Sequence, residues 1–486
     1  MTLNNHAELD VAFHPNAIAV IGASDDPGSP SYSFTHCLLE YGYPGRIYPV
    51  NPNRQSIFGL KAYPNLSGIP ESVDYAICCL PAAKIPALLD ECPRRGVKFV
   101  HIFSARLSET GNRKAKELET AILEKARKLN IRLIGPNCMG IYHPRQGIAF
   151  NDDVPKEAGE VGGLFQSGGL CTLFARYGGL QGLRFSKLIS YGNALDLDEC
   201  DFLDYLAHDD ETKVIACYIE GVKDGRRFIN TLRNTASIKP IIVIKGGRGV
   251  VGNKSAASHT AALSGSDTMW QTALRQTGVI QVGDLNELID LLALFSFFPP
   301  IKGKSAGILG AGGGQSVLAA DICEAAGIEI PPLPSEVKEN LKSRMPEMWG
   351  WIGNPIDVSA AGAFFEPREL LRMIAESPRF DFTIVNIDEG APFPQENWCA
   401  LIGNTIESAI TLSQEQVKPM VVILSGGKIH LEQFQDWRWR FLADLRSRLI
   451  AAHVPVYSSI TEAAKAVSKF IDYCEKRRDG QFETEP

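Results

Sequence analysis

The stretch Ala17-Ile18-Ala19-Val20-Ile21, followed directly by Gly22-Ala23-Ser24, sets the fold class of this chain. Five consecutive apolar residues are typical of a strand that is buried on both faces, as in a parallel sheet. The small residues that follow predict a turn, and a helical pattern then runs over residues 33–41. A strand, a turn and a helix in this order predict an α/β fold, with helices on both faces of a parallel sheet.

The alternation of strand and helix continues along the chain and restarts twice. The first series continues with predicted strands at residues 46–50, 75–80, 97–103 and 131–134, and with a helix at 113–128. The second series has predicted strands at 161–165, 185–190, 214–219 and 240–245, and a closing helix at 284–298. After a Pro- and Lys-containing linker at 299–304, a third series follows at 305–309, 383–387, 419–424 and 454–457. The sequence therefore predicts three α/β units in tandem.

Length and composition agree with three domains. The chain has 486 residues, and a domain takes roughly 150 residues. With 45% hydrophobic and 22% charged residues, it is neither a small disulfide-stapled module nor a mainly disordered protein. A net charge of −7 argues against nucleic-acid binding, which needs a basic surface. The 11 cysteines form no CxxC pair, so we expect free thiols, a reducing compartment and no metal site.

Targeting signals are not apparent in the sequence. The N-terminal residues MTLNNHAELD have neither the basic nor the apolar region of a secretory signal. The most apolar helical stretch, residues 288–298, is too short to cross a bilayer and contains Asp290. We therefore expect a cytoplasmic protein that does not bind a membrane.

The turn after the first strand is a candidate nucleotide-type site. Its glycines would let backbone N–H groups approach a pyrophosphate at a helix N-terminus, although the spacing is not GxGxxG. The second strand is followed by Asn51-Pro52-Asn53-Arg54, which offers a cation where a nicotinamide ribose would need an acid. A 3′-phosphorylated adenosine suits that cation better than a bare ribose. The alternative is a tight turn that binds no ligand.

Two further turns also follow predicted strands. Gly135-Pro136-Asn137-Cys138-Met139-Gly140 lies at the carboxyl end of a strand, where open α/β sheets bind ligands, but it could equally be a structural turn. Gln166-Ser167-Gly168-Gly169 precedes a helix and would leave the N-terminus of that helix open to an anion.

A small, polar, Gly-rich run surrounds one histidine. Residues 245–249 read KGGRG, and His259 lies at the centre of the run SAASHTAALSGS at 255–266. A packed core would not use such residues, so we predict a functional imidazole. Glu220 ends an apolar strand, where a carboxylate needs a partner, and an imidazole N–H would serve. The sequence contains no GxxxxGK[ST], HExxH or GxSxG motif.

Taken in order, these pieces resemble the NDP-forming acyl-CoA synthetases, relatives of succinyl-CoA synthetase, over about residues 11–475. The resemblance rests on AVIGAS (19–24), GLKAYPNL (59–66), GPNCMG (135–140), QSGGL (166–170), SYGNALDLDECDFLDYL (190–206), YIEGVKDGRRF (218–228) and AASHTAALSGS (256–266). It implies a Rossmann-like CoA-binding domain at 1–150 and a flavodoxin-like ligase domain with a phosphohistidine loop at 151–300. A second flavodoxin-like ligase domain would span 301–475, with a charged tail at 476–486.

The resemblance also implies roles for individual residues. His259 would be transiently phosphorylated and Glu220 would orient it. Phosphate would bind at Ser167, Gly168 and Gly169, and CoA would contact Gly22, Ala23, Ser24, Pro52, Arg54 and Pro81. Asn137 would be a substrate contact. The loop reads SHTA where the family has SHTG, and Ser104-Ala105-Arg106 replaces the usual Ser-Ala-Gly turn. Arg106 would either hold a second carboxylate of the substrate or lie on the surface.

The implied reaction is carboxylic acid + CoA + NTP = acyl-CoA + NDP + phosphate, through an acyl phosphate and a phosphohistidine. The three predicted domains leave no room for the family's ATP-grasp module. That module is therefore expected on a separate beta-type subunit, which would bind ATP or GTP with Mg²⁺ in a hetero-oligomer. The alternative is a non-catalytic CoA-binding regulatory or scaffold protein. A dehydrogenase is disfavoured because GxGxxG and the acid after the second strand are both missing.

Overall fold

The computed structural model describes residues 3–252, 267–310, 312–347, 350, 352–358, 365–387, 390, 393–425 and 435–480. The chain divides into two compact units, Met1–Leu288 and Ile289–Gln481. Parallel sheets with intervening helices form both units, so the predicted α/β fold class is confirmed.

The first sheet of the first unit is entirely parallel. Its elements in chain order are α1 (Leu3–Phe13), β1 (Ala17–Ile21), α2 (Tyr32–Glu40), β2 (Arg46–Val50), a hairpin of β3 (Ser56–Ile57) and β4 (Leu60–Lys61), β5 (Tyr75–Cys78), α3 (Ile85–Arg95), β6 (Phe99–Ile102), α4 (Arg113–Lys128) and β7 (Arg132–Ile134). The strand order is β2-β1-β5-β6-β7. The chain leaves β2 and re-enters the sheet on the other side of β1. The switch point therefore lies between β1 and β5, where open α/β sheets bind ligands.

The second sheet of this unit has one antiparallel edge strand. Its elements are β8 (Gly140–Tyr142), β9 (Ala158–Phe165), α5 (Gly168–Leu180), β10 (Phe185–Ser190), α6 (Glu199–His208), β11 (Val214–Ile219), α7 (Gly225–Ile238), β12 (Ile241–Lys245), α8 (Asp267–Gln276) and β13 (Ile280–Val282). The strand order is β13-β12-β11-β9-β10-β8, and only β8 runs antiparallel to its neighbour. The carboxyl ends of β9, β10, β11 and β12 therefore meet at one edge.

The second unit contains a third parallel sheet. After α9 (Leu285–Phe297), at whose first turns the two units divide, come β14 (Ala306–Gly310), α10 (Gly313–Ala325), α11 (Ser335–Arg344), β15 (Ile356–Asp357), α12 (Pro367–Ala375), β16 (Phe382–Asn386), α13 (Gln395–Gln414), β17 (Met420–Ile423), α14 (Trp437–Ala451), β18 (Val456–Tyr457) and α15 (Ile460–Arg478). The order is β15-β14-β16-β17-β18. Trp398 is fully buried in the core of this unit, where its ring meets the edge of Trp437.

The predicted strands agree with the structure to within a few residues, because most of their side chains are apolar and buried. The short strands β3, β4, β8, β13 and β15 were not predicted, since two or three residues are too few to show a periodicity. Residues 140–142 pair with β10 and so belong to the second sheet. The domain boundaries at 150, 300 and 475 stay a prediction.

A buried charge cluster lies at the amino end of β11, and we call it the amino-end cluster. Lys187 of β10 is 0% exposed, and its ammonium donates to Asp209 Oδ1 at 2.8 Å and to Glu211 Oε2 at 2.7 Å. Asp209 also accepts a hydrogen bond from Thr212 Oγ1 at 2.6 Å, and Glu211 pairs with Arg145 Nε at 2.7 Å. Burial opposes ionisation of both acids. The hydrogen bonds from Lys187 outweigh it and hold the pKa of each carboxyl below its ordinary value.

The thiols and the helices bear on two further expectations. All eleven cysteines are free, eight of them buried and three half-buried. Within the described ranges, no helix has the length together with the apolar character that crossing a membrane requires.

Candidate active site

The turn after β1 is tied to the turn after β2. Gly22 has φ +85°, a conformation that favours glycine, and a Cβ there would lie 3.3 Å from Leu80 Cδ2. The N–H groups of Gly22 and Ala23 both donate to the Val50 carbonyl, at 2.8 and 3.2 Å. Asn51 Nδ2 donates to the Ala23 carbonyl at 2.9 Å. The predicted CoA contacts after β1 and after β2 therefore lie in adjacent turns at the carboxyl edge of the first sheet.

Arg54 extends this group. Its side chain is 53% exposed, and its Nη2 lies 3.9 Å from Asp25 Oδ1, in the turn that follows Ser24. Pro52 is exposed in the same loop. An exposed pair of this length contributes little to stability, so the guanidinium remains available to an anionic ligand.

A cavity of about 830 Å³ lies in the first unit and is lined from both of its sheets. It is lined by Pro30, Cys79, Pro81, Ala82, Phe103, Ser104, Ala105, Arg106, Asn137, Cys138, Met139, Gln166, Ser167, Gly168 and Gly169. Six predicted site residues thus share one cavity, namely Pro81, Arg106, Asn137, Ser167, Gly168 and Gly169. Gly22, Ala23, Ser24, Pro52 and Arg54 do not line it. The predicted CoA contacts therefore divide into an outer group and the single cavity residue Pro81.

The N-terminus of α5 forms one wall of the cavity. Ser167 is the N-cap, and its hydroxyl accepts a hydrogen bond from the Leu170 N–H at 3.4 Å. Gly168 lies so close to the 135–140 turn that a Cβ would stand 3.0 Å from Met139 Cγ. Gly169 is exposed, with no atom within 4 Å of a Cβ built there. First-turn N–H groups have no intrahelical acceptor, so this helix end can accept a phosphate.

The turn that carries Asn137 is held between the two sheets. Asn137 has φ +60°, and its N–H donates to the Ser104 carbonyl at 3.1 Å. On the other side, the Met139 N–H donates to Ser190 Oγ at 3.0 Å. Gly192 packs so tightly here that a Cβ would come 2.1 Å from the Pro136 carbonyl oxygen. The backbone around Asn137 is therefore fixed from both sides.

Glu220 follows β11 and is 6% exposed. Its N–H donates to Gln166 Oε1 at 2.6 Å, and the Gly221 N–H donates to the same oxygen at 3.2 Å. Gln166 Nε2 donates in turn to the Gly221 carbonyl at 3.2 Å. The Tyr218 hydroxyl donates to Glu220 Oε1 at 3.1 Å. The side chain of Gln166, a cavity residue, therefore fixes the backbone that carries Glu220.

Lys245 completes this group, which we call the carboxyl-end cluster: Gln166, Tyr218, Glu220 and Lys245. Lys245 is buried at the end of β12, and its ammonium donates to the carbonyls of Glu220, at 2.7 Å, and of Gly246. It also lies 4.8 Å from the ring centre of Trp270. Burial lowers the pKa of Lys245 to about 8, although Glu220 and Asp267 act in the other direction.

Gly246 begins the Gly-rich run directly beside Glu220. A Cβ at Gly246 would stand 2.6 Å from the Tyr218 hydroxyl oxygen and 3.2 Å from Glu220 Cγ, so only glycine fits. His259 itself lies outside the described residues, and its role stays a prediction. Gln166 and Lys245 were not predicted as site residues. A polar side chain at the carboxyl end of a buried strand was the available signal.

One group of potential metal ligands occurs in the described part of the chain, at the start of α6. Asp198, Glu199 and Cys200 each place one ligand atom within 4.8 Å of the others. Asp198 is the N-cap of this helix, accepts the Cys200 N–H at 2.9 Å, and pairs with Arg227 at 2.8 Å. Helix capping and this ion pair account for Asp198 without a metal.

Two family models match the first unit and its continuation into α9. A CoA binding domain matches residues 16–144, and a succinyl-CoA ligase-like flavodoxin domain matches residues 158–295. The first match contains the switch point and the second contains the N-terminus of α5 and Glu220.

Curated relatives extend the similarity along the chain. An ADP-forming acetate–CoA ligase II of Archaeoglobus fulgidus is 31% identical over 97% of this chain and 68% of the relative. An ADP-forming acetate–CoA ligase II subunit alpha of Pyrococcus furiosus is 36% identical over 77% of this chain and 81% of the relative. For an ADP-forming acetate–CoA ligase of Methanocaldococcus jannaschii, at 37% identity over 72% of this chain, the matched region spans only 49% of the relative.

A solved structure shows the same fold. It is a dinucleotide-forming acetyl-coenzyme A synthetase 1 of Candidatus Korarchaeum cryptofilum in complex with phosphate and ADP, with a TM-score of 0.82 and 29% identity. The alignment covers 98% of this chain and 99% of that chain. From the matching domains, the identity to curated relatives and the site built on both sheets, this chain belongs to the ADP-forming acyl-CoA synthetases.

Proposed function

We propose that the chain is the alpha-type subunit of an ADP-forming acyl-CoA synthetase, an acid–thiol ligase. It would interconvert carboxylic acid, CoA and NTP with acyl-CoA, NDP and phosphate. The observation that carries the proposal is the cavity in which the carboxyl edge of the first sheet faces the N-terminus of α5. A phosphate bound at that helix end would then lie within reach of a CoA thioester bound at the edge of the first sheet.

The cavity residues have separate tasks in this reaction. In the direction that consumes acyl-CoA, a phosphate oxygen attacks the acyl carbon, the C–S bond breaks and CoA thiolate leaves. The backbone of Ser167, Gly168 and Gly169 would hold the phosphate by charge-assisted hydrogen bonds. Asn137 lines the same cavity and would contact the acyl group.

The second step moves the phosphoryl group to the protein. An imidazole nitrogen of His259 attacks the phosphorus of the acyl phosphate, the P–O bond breaks and the carboxylate leaves. Glu220 would orient the imidazole by accepting its other N–H, which leaves the attacking nitrogen unprotonated. Gln166 and Lys245 support this role because both hold the backbone of Glu220.

CoA would lie across the switch point, with its nucleotide end at Gly22, Ala23, Ser24, Pro52 and Arg54 and its thiol end near Pro81. The exposed guanidinium of Arg54 suits the 3′-phosphate. Arg54→Glu should therefore weaken CoA more than dephospho-CoA in calorimetric titrations. Equal losses for both ligands would contradict this orientation.

A separate ATP-grasp subunit would supply the nucleotide site, with ATP or GTP and Mg²⁺, in a cytoplasmic hetero-oligomer. Support comes from two Pyrococcus furiosus relatives named as alpha subunits, of which this chain matches 81% and 90%. The chain alone, supplied with acid, CoA and NTP, should then release no NDP. Robust release would contradict a separate subunit.

Phosphate labelling tests the catalytic proposal on the chain alone. Acetyl-CoA, butyryl-CoA or succinyl-CoA is added with radioactive phosphate, and the label is tested for acid and base stability and mapped to a peptide. We expect an acid-labile, base-stable label at His259. His259→Ala should abolish it and leave the affinity for CoA unchanged.

Two outcomes would overturn the mechanism. A label that survives acid, or that maps to Ser258 or Thr260, would replace the phosphohistidine with a phosphoester. No label with any acyl-CoA that binds would instead favour a non-catalytic CoA-binding regulatory or scaffold protein.

A further inference from the structure

Arg106 places a cation in the wall of the cavity. It follows β6 in the turn that begins at Ser104, and its exposed side chain lines the cavity together with Asn137 and the N-terminus of α5. The cavity wall thus carries an anion-binding helix end and, separately, a guanidinium. A reaction between one phosphate and one neutral acyl chain would need the helix end to bind the phosphate. It would not need the guanidinium.

The charge of Arg106 is not neutralised by the described residues. Its guanidinium forms no ion pair and no hydrogen bond with any of them. The nearest acid in sequence, Glu109, is otherwise engaged. Glu109 Oε1 accepts the N–H groups of Arg106 and Leu107, the latter at 3.0 Å, and Oε2 accepts from Asn193 Nδ2 at 2.8 Å. The guanidinium therefore remains free to pair with an anion in the cavity.

Arg106 has an unfavourable backbone conformation. It has φ +74°, in the left-handed region that favours glycine. A long side chain held in this conformation carries a conformational penalty, and such strain tends to be retained where it serves a site. The Arg106 side chain is exposed, so it gains little burial that could offset the penalty.

We propose that Arg106 selects acids that carry a second negative charge, by pairing its guanidinium with the end of the acyl chain opposite the thioester. The substrate class is then a short dicarboxylic acid, or an acid with an equivalent second anionic group, and not a plain fatty acid. This inference rests on the proposed synthetase function.

The acyl group suits Arg106 better than CoA itself does. The outer group of predicted CoA contacts, with the exposed Arg54, does not line the cavity, so the proposed CoA orientation would keep the nucleotide phosphates outside the cavity that Arg106 lines. Only the thiol end and the acyl chain would enter. A guanidinium binds a carboxylate through two parallel hydrogen bonds, which fixes both the charge and the orientation of the chain end.

The test compares acyl groups of equal length with and without the second charge. Succinyl-CoA is matched with butyryl-CoA, and malonyl-CoA with propionyl-CoA. Dissociation constants come from calorimetry, and rates from phosphate labelling of the chain alone. In at least one of the two pairs, we expect the charged acyl-CoA to bind or react about 10- to 100-fold better than the neutral acyl-CoA of equal length. Arg106→Gly, which suits φ +74°, should remove that preference without affecting folding, and Arg106→Lys should retain part of it.

The outcomes separate this inference from the function on which it rests. Labelling by butyryl-CoA and propionyl-CoA as fast as by their charged partners would overturn the inference and leave the synthetase function standing. Equal loss of affinity in R106G for free CoA and for every acyl-CoA would place Arg106 on CoA and also overturn it. Absence of label with those of the four compounds that bind would count against the proposed function, whereas charge-selective binding that is lost in R106G would still support the recognition of a second charge by Arg106.

Discussion

The two ends of β11 carry two buried clusters of opposite design. At the amino-end cluster, Lys187 meets the carboxylates of Asp209 and Glu211 directly. At the carboxyl-end cluster, Lys245 donates to main-chain carbonyls, and the amide of Gln166 holds main-chain N–H groups. The first cluster pairs side-chain charges with each other. The second uses side chains to fix a backbone and leaves its cation without a direct carboxylate partner among the described residues.

This difference teaches how one strand can serve stability and chemistry at once. Buried charges that are paired with each other take no part in a reaction. Removing one of them leaves its partners without a counter-charge, which destabilises the fold. At the other end of the strand, the amide of Gln166 and the ammonium of Lys245 fix the backbone that carries the Glu220 carboxylate. We therefore expect substitutions at the amino end to change the free energy of unfolding, and substitutions at the carboxyl end to change phosphoryl transfer.

The largest expected effect is that of Glu220→Gln. The amide keeps the size of the side chain but cannot accept and charge-stabilise an imidazole N–H as a carboxylate does. Phosphate labelling of His259 should slow by about 10²- to 10⁴-fold. The midpoint of urea unfolding should change little. Unchanged labelling in this variant would show that the carboxyl-end cluster is structural, like the amino-end one.

Lys187→Met should act on stability instead. It leaves the buried Asp209 and the half-buried Glu211 without their shared cation, which should lower the free energy of unfolding by about 3–5 kcal/mol. Arg113→Met is the matched control, because the Arg113–Glu117 pair is exposed and contributes only about 0.3–0.5 kcal/mol. The rate of phosphate labelling per folded molecule should not change. A slower rate in folded Lys187→Met protein would contradict the prediction that the amino-end cluster acts on stability alone.

The pH dependence of stability should carry the signature of Lys245. Burial lowers its pKa from 10.5 to about 8 in the native state, so between these values the unfolded chain binds more protons. The free energy of unfolding should therefore rise with pH over this window, by about 3 kcal/mol in all. Lys245→Met should lose this rise. Lys239, with a pKa also lowered to about 8 by burial, contributes equally to both proteins and cancels in the difference. Parallel curves would contradict the prediction.

Gln166→Leu should give the smallest effect. The N–H groups of Glu220 and Gly221 lose their shared acceptor, which costs about 1–3 kcal/mol for a buried donor. Because Glu220 is then less well oriented, the maximal rate of labelling should fall by about 10- to 100-fold. The acyl-CoA concentration that gives half of the maximal rate should stay the same. Gln276→Leu, at an exposed position, is the control. A change confined to unfolding would make Gln166 purely structural.

Much of the fold could be predicted because local sequence patterns indicate where most of its helices and strands lie. Helix α4 and the strands β1, β2, β10 and β11 have the bounds that the sequence pattern predicted. The edge strand β8 could not be predicted, since its three residues acquire strand geometry only by pairing with β10.

The site was predictable in its residue types but not in its assembly. Glycine turns after strands pointed to Gly22 and to Ser167, because such turns expose backbone N–H groups. That Arg106, Asn137 and Ser167 line one cavity depends on how two sheets meet, which no local pattern contains. The role of Gln166 depends on hydrogen bonds between neighbouring strand ends for the same reason. The role of His259 stays a prediction.

Gly192 lets the 135–140 turn, part of which lines the cavity, pack closely against the loop after β10. A single methyl group at this position would stand 2.1 Å from the Pro136 carbonyl oxygen and 2.5 Å from that of Asn137. Such a group would act as a wedge, driving the 135–140 turn away from the loop after β10. Because Asn137, Cys138 and Met139 of that turn line the cavity, a side chain at position 192 would move one wall of the cavity without itself entering the cavity.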